Sequence, residues 1–236
     1  MIEQRRSWLN RVARSLLSTQ PPEAMTFGSL RRVTPISRTF GFDRGQPIDR
    51  FYIERFLAAQ AIDIRGTVLE IGDNTYTLKF GRDRVMTSDV LHVGTGHPGA
   101  TIVADLANAD GMSSDTFDCI ICTQTLQFIF GVRRAMGTLH RLLKPGGVVL
   151  MTVPGISQIS RFDMDRWGEY WRFTTLSTRR LCEEVFPPAN VSVEAHGNVL
   201  TAIAFLHGLA SEELRPEELD HHDADYELLI TARMVK

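Results

Sequence analysis

Residues 117–155 of the chain read FDCIICTQTLQFIFGVRRAMGTLHRLLKPGGVVLMTVPG, and this stretch decides the fold. It begins with a continuous apolar run at 117–123, which predicts a strand buried on both faces. A helix is predicted next, since apolar side chains recur at helical spacing: Val132, Met136, Leu139 and Leu143. The sequence KPGG then ends the helix, and the apolar run 148–153 predicts another strand. A strand, a helix and a strand in this order indicate a parallel sheet.

Short β-rich runs stand on both sides of this unit. They predict further strands at 67–72, 84–89, 100–105, 190–195 and 226–235. Helical spacing or a capping residue predicts further helices at 48–60, 177–186 and 199–210, with Ser177 as an N-cap. The predicted fold class is therefore α/β, a Rossmann-like doubly wound and mostly parallel sheet of seven strands with an N-terminal helical extension. Ligands of such a sheet bind beyond the carboxyl ends of the strands.

Two segments flank or interrupt the predicted sheet. We assign 1–60 to an N-terminal helical and loop extension that also forms a lid, and 61–236 to the ligand-binding domain. Within that domain, 156–175 is predicted to be an irregular insertion beside the site. Residues 1–20 are amphipathic and rich in Arg, which is typical of a transit peptide, a membrane-surface helix or a helix packed over the domain; we favour the last. This segment is also a candidate homodimer contact.

Composition narrows the classes of function. The formal net charge of −2 gives no reason to expect a nucleic-acid partner, and no apolar run reaches the roughly 18–20 residues of a membrane span. Cys119 and Cys122 lie three apart on one predicted strand, so they point to opposite faces and cannot hold one metal. The motif His221-His222-Asp223-x-Asp225 is predicted to be a solvated acidic loop. We therefore expect a cytoplasmic protein with neither a metal nor an integral membrane association.

Polar residues and glycine gather where the predicted strands end. The first strand runs into Glu70, Gly72, Asp73 and Asn74, the second ends at Asp89, the third at Asp105, and Thr123 and Gln124 close the fourth. A nicotinamide enzyme would need G-x-G-x-x-G at the first turn, with a helix N-terminus facing a pyrophosphate. Residues 72–77 lack the later glycines, and Asp73 would repel the phosphates. These residues therefore argue against a nicotinamide cofactor.

Four segments together resemble the motifs of class I S-adenosylmethionine-dependent methyltransferases, and are most similar to the group with the type 11 methyltransferase domain. They are VLEIGDN at 68–74, Asp105-Leu106, FDCIICTQTLQFI at 117–129 and LHRLLKPGGVVLMTVPG at 139–155. The resemblance implies that the last strand enters the sheet antiparallel. In this chain Asn74 and Tyr76 replace the second and third glycines of the family's first turn, and Gln127 stands where the family often has His or Glu. The stretch GFDRGQPIDRFYIERFL at 41–57 also resembles a motif of a bacterial subset associated with glycan biosynthesis.

The resemblance implies that S-adenosylmethionine is the cofactor and assigns a role to several residues. A carboxylate after the second strand, Asp89, would accept the ribose hydroxyls, and Asp105, followed by Leu106, would meet the adenine. Glu70 or Asp73, with the turn at Gly72 and Asn74, would hold the α-ammonium group or orient the turn. Thr123 and Gln124 would contribute polar groups after the fourth strand. Arg44, Asp49 and Tyr52 would form a lid over the amino-acid end of the cofactor.

The acceptor side is predicted in the insertion. Asp165, Tyr170, Trp171 and Arg172 are the candidate substrate-binding residues, because aromatic faces with polar groups suit a sugar or another ring. Asp163 and His92 are the candidate general bases. The predicted function is methyl transfer to a small molecule or a glycan, with a hydroxyl group favoured as the acceptor. The alternative is a non-catalytic binding or scaffold protein that retains the fold.

Overall fold

The computed structural model describes residue 26 and residues 28–236. By its internal contacts the chain divides into Met1–Thr34 and Pro35–Lys236, and the second unit contains the sheet. In the first unit, Gly28–Leu30 form a short 3-10 turn. The amphipathic segment predicted at 1–20 and its homodimer contact lie outside the described residues. The boundary predicted at residue 60 falls inside the second unit, because helix α1, Ile48–Ala59, packs there with buried Ile53 and Leu57.

Seven strands form one sheet in the order β3-β2-β1-β4-β5-β7-β6. Their bounds are β1 Gly66–Ile71, β2 Val85–His92, β3 Ile102–Val103, β4 Phe117–Thr123, β5 Leu143–Pro154, β6 Val191–His196 and β7 Leu229–Val235. The pairs among β1 to β5 are parallel, and β7 runs antiparallel to both β5 and β6. The predicted fold class is confirmed. The order reverses between β1 and β4, so the carboxyl ends of these two strands flank the switch point where ligands bind.

Helices cover both faces of the sheet. Their bounds are α2 Val132–Leu142, α3 Arg161–Trp167, α4 Thr175–Glu183, α5 Val199–Leu206 and α6 Pro216–Asp220. Because side chains alternate along a strand, β4 sends Cys122 into the core shared with α2 and α4, and Cys119 into the opposite core shared with α1 and α5. The predicted opposite orientation of these two cysteines is confirmed. Burial raises the pKa of the Cys122 thiol to about 12, as expected for an inert core side chain.

Local structure departs from the predictions in three places that shape the site. Strand β2 continues to His92, three residues beyond its predicted end, because 90–91 are buried and pair with β1. The insertion 156–175, predicted to be irregular, contains helix α3. Helix α4 begins after Thr174, so Ser177 is not its N-cap but the partner of Thr174 in a reciprocal capping box. None of the helices in the described part of the chain is long and apolar enough to cross a membrane.

Candidate active site

A cleft of about 1230 Å³ opens at the carboxyl ends of the strands. Its walls come from the end of β2, from the residues that follow β1, β3, β4 and β5, from 38–42 and the start of α1, and from the segment that contains α3. The cleft therefore lies where the topology places ligands in a doubly wound sheet. Seven of the eleven predicted cofactor-binding residues line it: Glu70, Gly72, Asp73, Asp105, Leu106, Thr123 and Gln124.

The turn after β1 is held open by backbone conformation and by one buried carboxylate. Gly72 has φ +99°, and no atom lies within 4 Å of the position that a Cβ would take. Glu70 is 2 % exposed and accepts hydrogen bonds from the backbone of Tyr76 and Thr77 and from the Thr77 hydroxyl. Burial raises the pKa of Glu70 to about 7, against the opposing effect of these hydrogen bonds. Glu70 therefore orients the turn through its carboxyl group.

The position of the family's third glycine is filled by a tyrosine with a partner on α1. Tyr76 is 7 % exposed, and its hydroxyl accepts a hydrogen bond from Arg50 Nη1 at 2.8 Å. Asp49 and Arg50 line the cleft beside it, and burial raises the pKa of Asp49 while the Arg50 charge opposes the shift. The sequence gives no local signal for this contact, because the two partners are separated by 26 residues. Arg50 was not among the predicted site residues.

The end of β2 carries a histidine rather than the predicted carboxylate. Asp89 stands inside β2, lies outside the cleft wall and accepts a hydrogen bond from Thr101 Oγ1 at 2.8 Å. The prediction that Asp89 ends the strand is wrong, since the strand continues for three more residues. His92 occupies the end and lines the cleft, with Nδ1 3.0 Å from the backbone nitrogen of Gly94.

Polar residues also follow the ends of β3 and β4. Asp105 accepts hydrogen bonds from Ala107 N at 2.8 Å and Asn108 Nδ2 at 2.7 Å, and so caps the 3-10 turn that follows β3. Asp105 also lines the cleft. After β4, Gln124 has φ 47°, a left-handed conformation that costs energy for a residue with a Cβ. Such strain concentrates at functional sites.

Besides Asp89, three predicted cofactor residues do not reach the cleft. Arg44 forms an ion pair with Glu213, with Nε 2.9 Å from Oε2. Tyr52 is 3 % exposed, and its hydroxyl donates to the carbonyl of Leu219 at 2.8 Å. Asn74 does not line the cleft, and its Nδ2 lies 3.5 Å from Ser88 Oγ. Of the three residues predicted to form a lid, Asp49 lines the cleft, whereas the side chains of Arg44 and Tyr52 are engaged in packing the domain.

Some of the predicted acceptor residues line the cleft and others do not. Asp163 and Tyr170 line the cleft, whereas Asp165, Trp171 and Arg172 do not. Asp165 is exposed and faces Arg161, and Trp171 packs against the core and donates from Nε1 to the carbonyl of Ile129 at 3.0 Å. Arg172 binds Glu169 and the carbonyl of Gln158, so it stabilises the segment that contains α3 without lining the cleft. These three predictions are corrected, since each side chain supports the wall without forming it.

Helix α3 crosses from the β5 side of the cleft to the β2 side. At its start, Ser160 Oγ donates to Asp163 Oδ2 at 2.5 Å, and Ser160 N donates to Glu169. At its end, the Trp167 ring meets His92 edge to face, with centroids 5.7 Å apart. The walls of this half carry exposed aromatic rings, which are Phe130, Phe162, Trp167 and Tyr170. The cleft therefore has an aromatic half under α3 and a polar half over β1 and β3.

Comparison with known sequences identifies the family. The profile of a family described as a methyltransferase domain matches residues 48–198, which is more than half of the chain. No curated protein matches the chain. The matched region spans α1, the first five strands and β6, and therefore includes the cleft.

Comparison with solved structures agrees with the fold. A SAM-dependent methyltransferase from Archaeoglobus fulgidus is similar at 12 % identity and a TM-score of 0.53, covering 79 % of this chain and 94 % of its own. The [4+2]-cyclase SpnF is similar at 16 % identity and a TM-score of 0.51, covering 82 % of this chain and 84 % of its own. These likenesses concern the fold alone. With the sequence motifs and the family match, the chain belongs to the S-adenosylmethionine-dependent methyltransferases.

Proposed function

We propose that the protein transfers a methyl group to a hydroxyl of a small molecule or a sugar. The observation that carries this proposal is the aromatic half of the cleft, where Phe130 is 70 % exposed, Phe162 65 % and Tyr170 50 %. Large apolar side chains exposed inside a cleft mark a binding surface. Ring faces beside a carboxylate suit a flat or sugar-like molecule with hydroxyl groups.

The residues of the polar half fit S-adenosylmethionine, but they differ from the predicted set. Four predicted cofactor residues do not line the cleft, whereas His92 and Arg50 do. Asp105 stands after β3 for the adenine, and His92, in place of Asp89, stands at the end of β2 for the ribose hydroxyls. Arg50 offers a guanidinium to the cofactor carboxylate, while Asp73 and the turn at Gly72 offer acceptors to its ammonium group. The open space over Gly72 leaves room for a ligand against the backbone.

When bound, S-adenosylmethionine supplies a methyl group on a sulfonium, a good electrophile. The chain has to align the acceptor oxygen with that methyl, exclude water and receive the hydroxyl proton. Asp163 is the best-placed proton acceptor in the aromatic half. The Ser160 hydroxyl fixes its Oδ2, so Oδ1 can face the acceptor. His92 is held by Gly94 at the other end of α3, and we assign it to the cofactor rather than to proton transfer.

Two measurements test the proposal. Calorimetric titration with S-adenosylhomocysteine tests the cofactor site, and transfer from methyl-labelled S-adenosylmethionine to a panel of neutral, acidic and aminated sugars and phenols tests the acceptor. We expect micromolar binding and labelled methyl ethers among the products. Absence of binding by folded protein would refute the cofactor site, whereas transfer only to amines would refute the hydroxyl acceptor.

The role of Asp163 is tested by a matched pair of variants. Asp163→Asn keeps an oxygen for the Ser160 hydroxyl but removes the proton acceptor, and we expect kcat to fall about 10²- to 10⁴-fold. Asp165→Asn is the control, since this neighbouring carboxylate is exposed and lies outside the cleft wall. Equal rates for the two variants would show that Asp163 is not the base.

A further inference from the structure

The side chain of Gln127 has a fixed orientation and one atom without a partner. The residue is 4 % exposed and lines the cleft. Its Nε2 donates to the backbone carbonyl of Gln124 at 2.9 Å and to Gln124 Oε1 at 3.2 Å. Because a backbone carbonyl only accepts hydrogen bonds, the amide nitrogen has to be the atom that faces it. Oε1 is therefore turned away, and it has no hydrogen-bond partner among the described residues.

A buried carbonyl oxygen without a partner is costly, and native proteins rarely keep one without a reason. Five buried side-chain atoms lack a partner in the part of the chain that the structure describes, and of their five residues Gln127 alone lines the cleft. The residue that holds its amide, Gln124, is itself strained at φ 47°. This arrangement is better explained by a ligand in the cleft than by packing.

Gln127 stands where the two halves of the cleft meet. Its amide is tied to Gln124, which follows β4 on the polar side. Its backbone carbonyl accepts a hydrogen bond from Tyr170 N at 2.7 Å, and Tyr170 belongs to the aromatic half. A group at this junction is close to both ligands of a two-substrate reaction.

We propose that Gln127 Oε1 accepts a hydrogen bond from the O–H or N–H group that receives the methyl. This inference rests on the proposed function and deepens it, because it requires a hydrogen on the acceptor atom and so excludes thioethers and tertiary amines as acceptors. The amide stays neutral and takes no proton. As the new carbon–oxygen or carbon–nitrogen bond forms, the sulfur keeps the electrons of the broken bond and the proton leaves to a separate base.

The test needs no identified acceptor. Sinefungin is an analogue of S-adenosylmethionine in which a carbon replaces the sulfur and an amine replaces the methyl group. Its ammonium group therefore lies where the methyl group would be transferred. S-adenosylhomocysteine has no donor there. We expect wild-type protein to prefer sinefungin about ten- to hundredfold in Kd, as for a hydrogen bond to a charged group. Gln127→Met, of similar length and without a carbonyl, should lose that preference while its Kd for S-adenosylhomocysteine stays within about twofold.

Gln127→Glu is the second variant, with which the inference can still be tested if Gln127→Met fails to fold. An ionised carboxylate at this position should bind the ammonium group more strongly, so the preference for sinefungin should rise above that of wild-type protein. A preference unchanged in both variants, or absent from wild-type protein that binds S-adenosylhomocysteine, would overturn this inference alone. Failure of wild-type protein to bind either compound would overturn the cofactor site and, with it, the proposed function.

Discussion

Gly72 is the residue on which the shape of the first turn depends. Its φ of +99° is unfavourable for any residue with a Cβ, although the space around it is empty. We expect Gly72→Ala to lower the free energy of unfolding by about 1–2 kcal/mol and to weaken S-adenosylhomocysteine binding, since the turn moves. Gly137→Ala is the control: it lies inside helix α2 with equally open space and should stabilise the protein by up to about 1 kcal/mol. Chemical denaturation distinguishes the two, and equal effects would show that conformation is not the cause.

Glu70 should make stability depend on pH. Its pKa is raised from 4.5 to about 7, chiefly by burial, so between these values the folded protein holds a proton that the unfolded chain releases. Stability contributed by this group is therefore present at low pH and lost as pH rises from 4.5 to 7, by on the order of 3 kcal/mol. Glu70→Gln should remove this slope from denaturation curves measured between pH 4.5 and 8, whereas the exposed Glu194→Gln should keep it. A slope that survives in Glu70→Gln would assign it to other groups.

The residues at the ends of the strands were only partly predictable from the sequence. The acids after β1 and β3 were found because a strand ends visibly where its apolar run ends. Asp89 was misplaced because a charged residue at this position of β2 was taken for the end of the strand. Only the pairing of 90–91 with β1 and of His92 with β3 reveals that the strand continues. His92 lines the cleft for that reason, although as a sequence feature it was only a candidate base.

Among the elements, strand β5 begins at Leu143, five residues before its predicted start, and contains the KPGG sequence that was predicted to separate it from helix α2. Helix α2 itself was predicted closely from its periodicity. The start of α4 was not, because Thr174 and Ser177 are both good capping residues and sequence alone does not choose between them. In the structure they cap each other reciprocally, with Ser177 N 3.2 Å from Thr174 Oγ1. We expect Thr174→Ala to cost about 1 kcal/mol of unfolding free energy and Thr174→Ser to cost little, as measured by urea denaturation. An equal loss in both would point to the Thr174 methyl group instead of the cap.

At the scale of the whole molecule, the contacts that assemble the cleft join residues far apart in sequence. Arg50 meets Tyr76, and Trp167 meets His92, yet neither pair leaves a local pattern in the sequence. Sequence reasoning could therefore place the cleft at the correct edge of the sheet and could not tell lining residues from supporting ones. Trp171 and Arg172 were assigned to the acceptor site on composition, whereas the structure uses them to brace it.

The contact between Trp167 and His92 should couple the two halves of the cleft. A cofactor that orders the end of β2 should also steady α3, because the Trp167 ring rests against His92 and lies over Gly94. We expect S-adenosylhomocysteine to slow amide hydrogen exchange in 157–170 of wild-type protein. In Trp167→Ala the slowing in 157–170 should be lost. Exchange at the turn after β1 should still slow, which shows that the ligand is bound to the variant. Exchange in β7, which lies away from the cleft, serves as the internal reference. If amide exchange in 157–170 still slows without the Trp167 ring, the ligand contacts α3 directly. Helix α3 would then be ordered by the cofactor and not through His92.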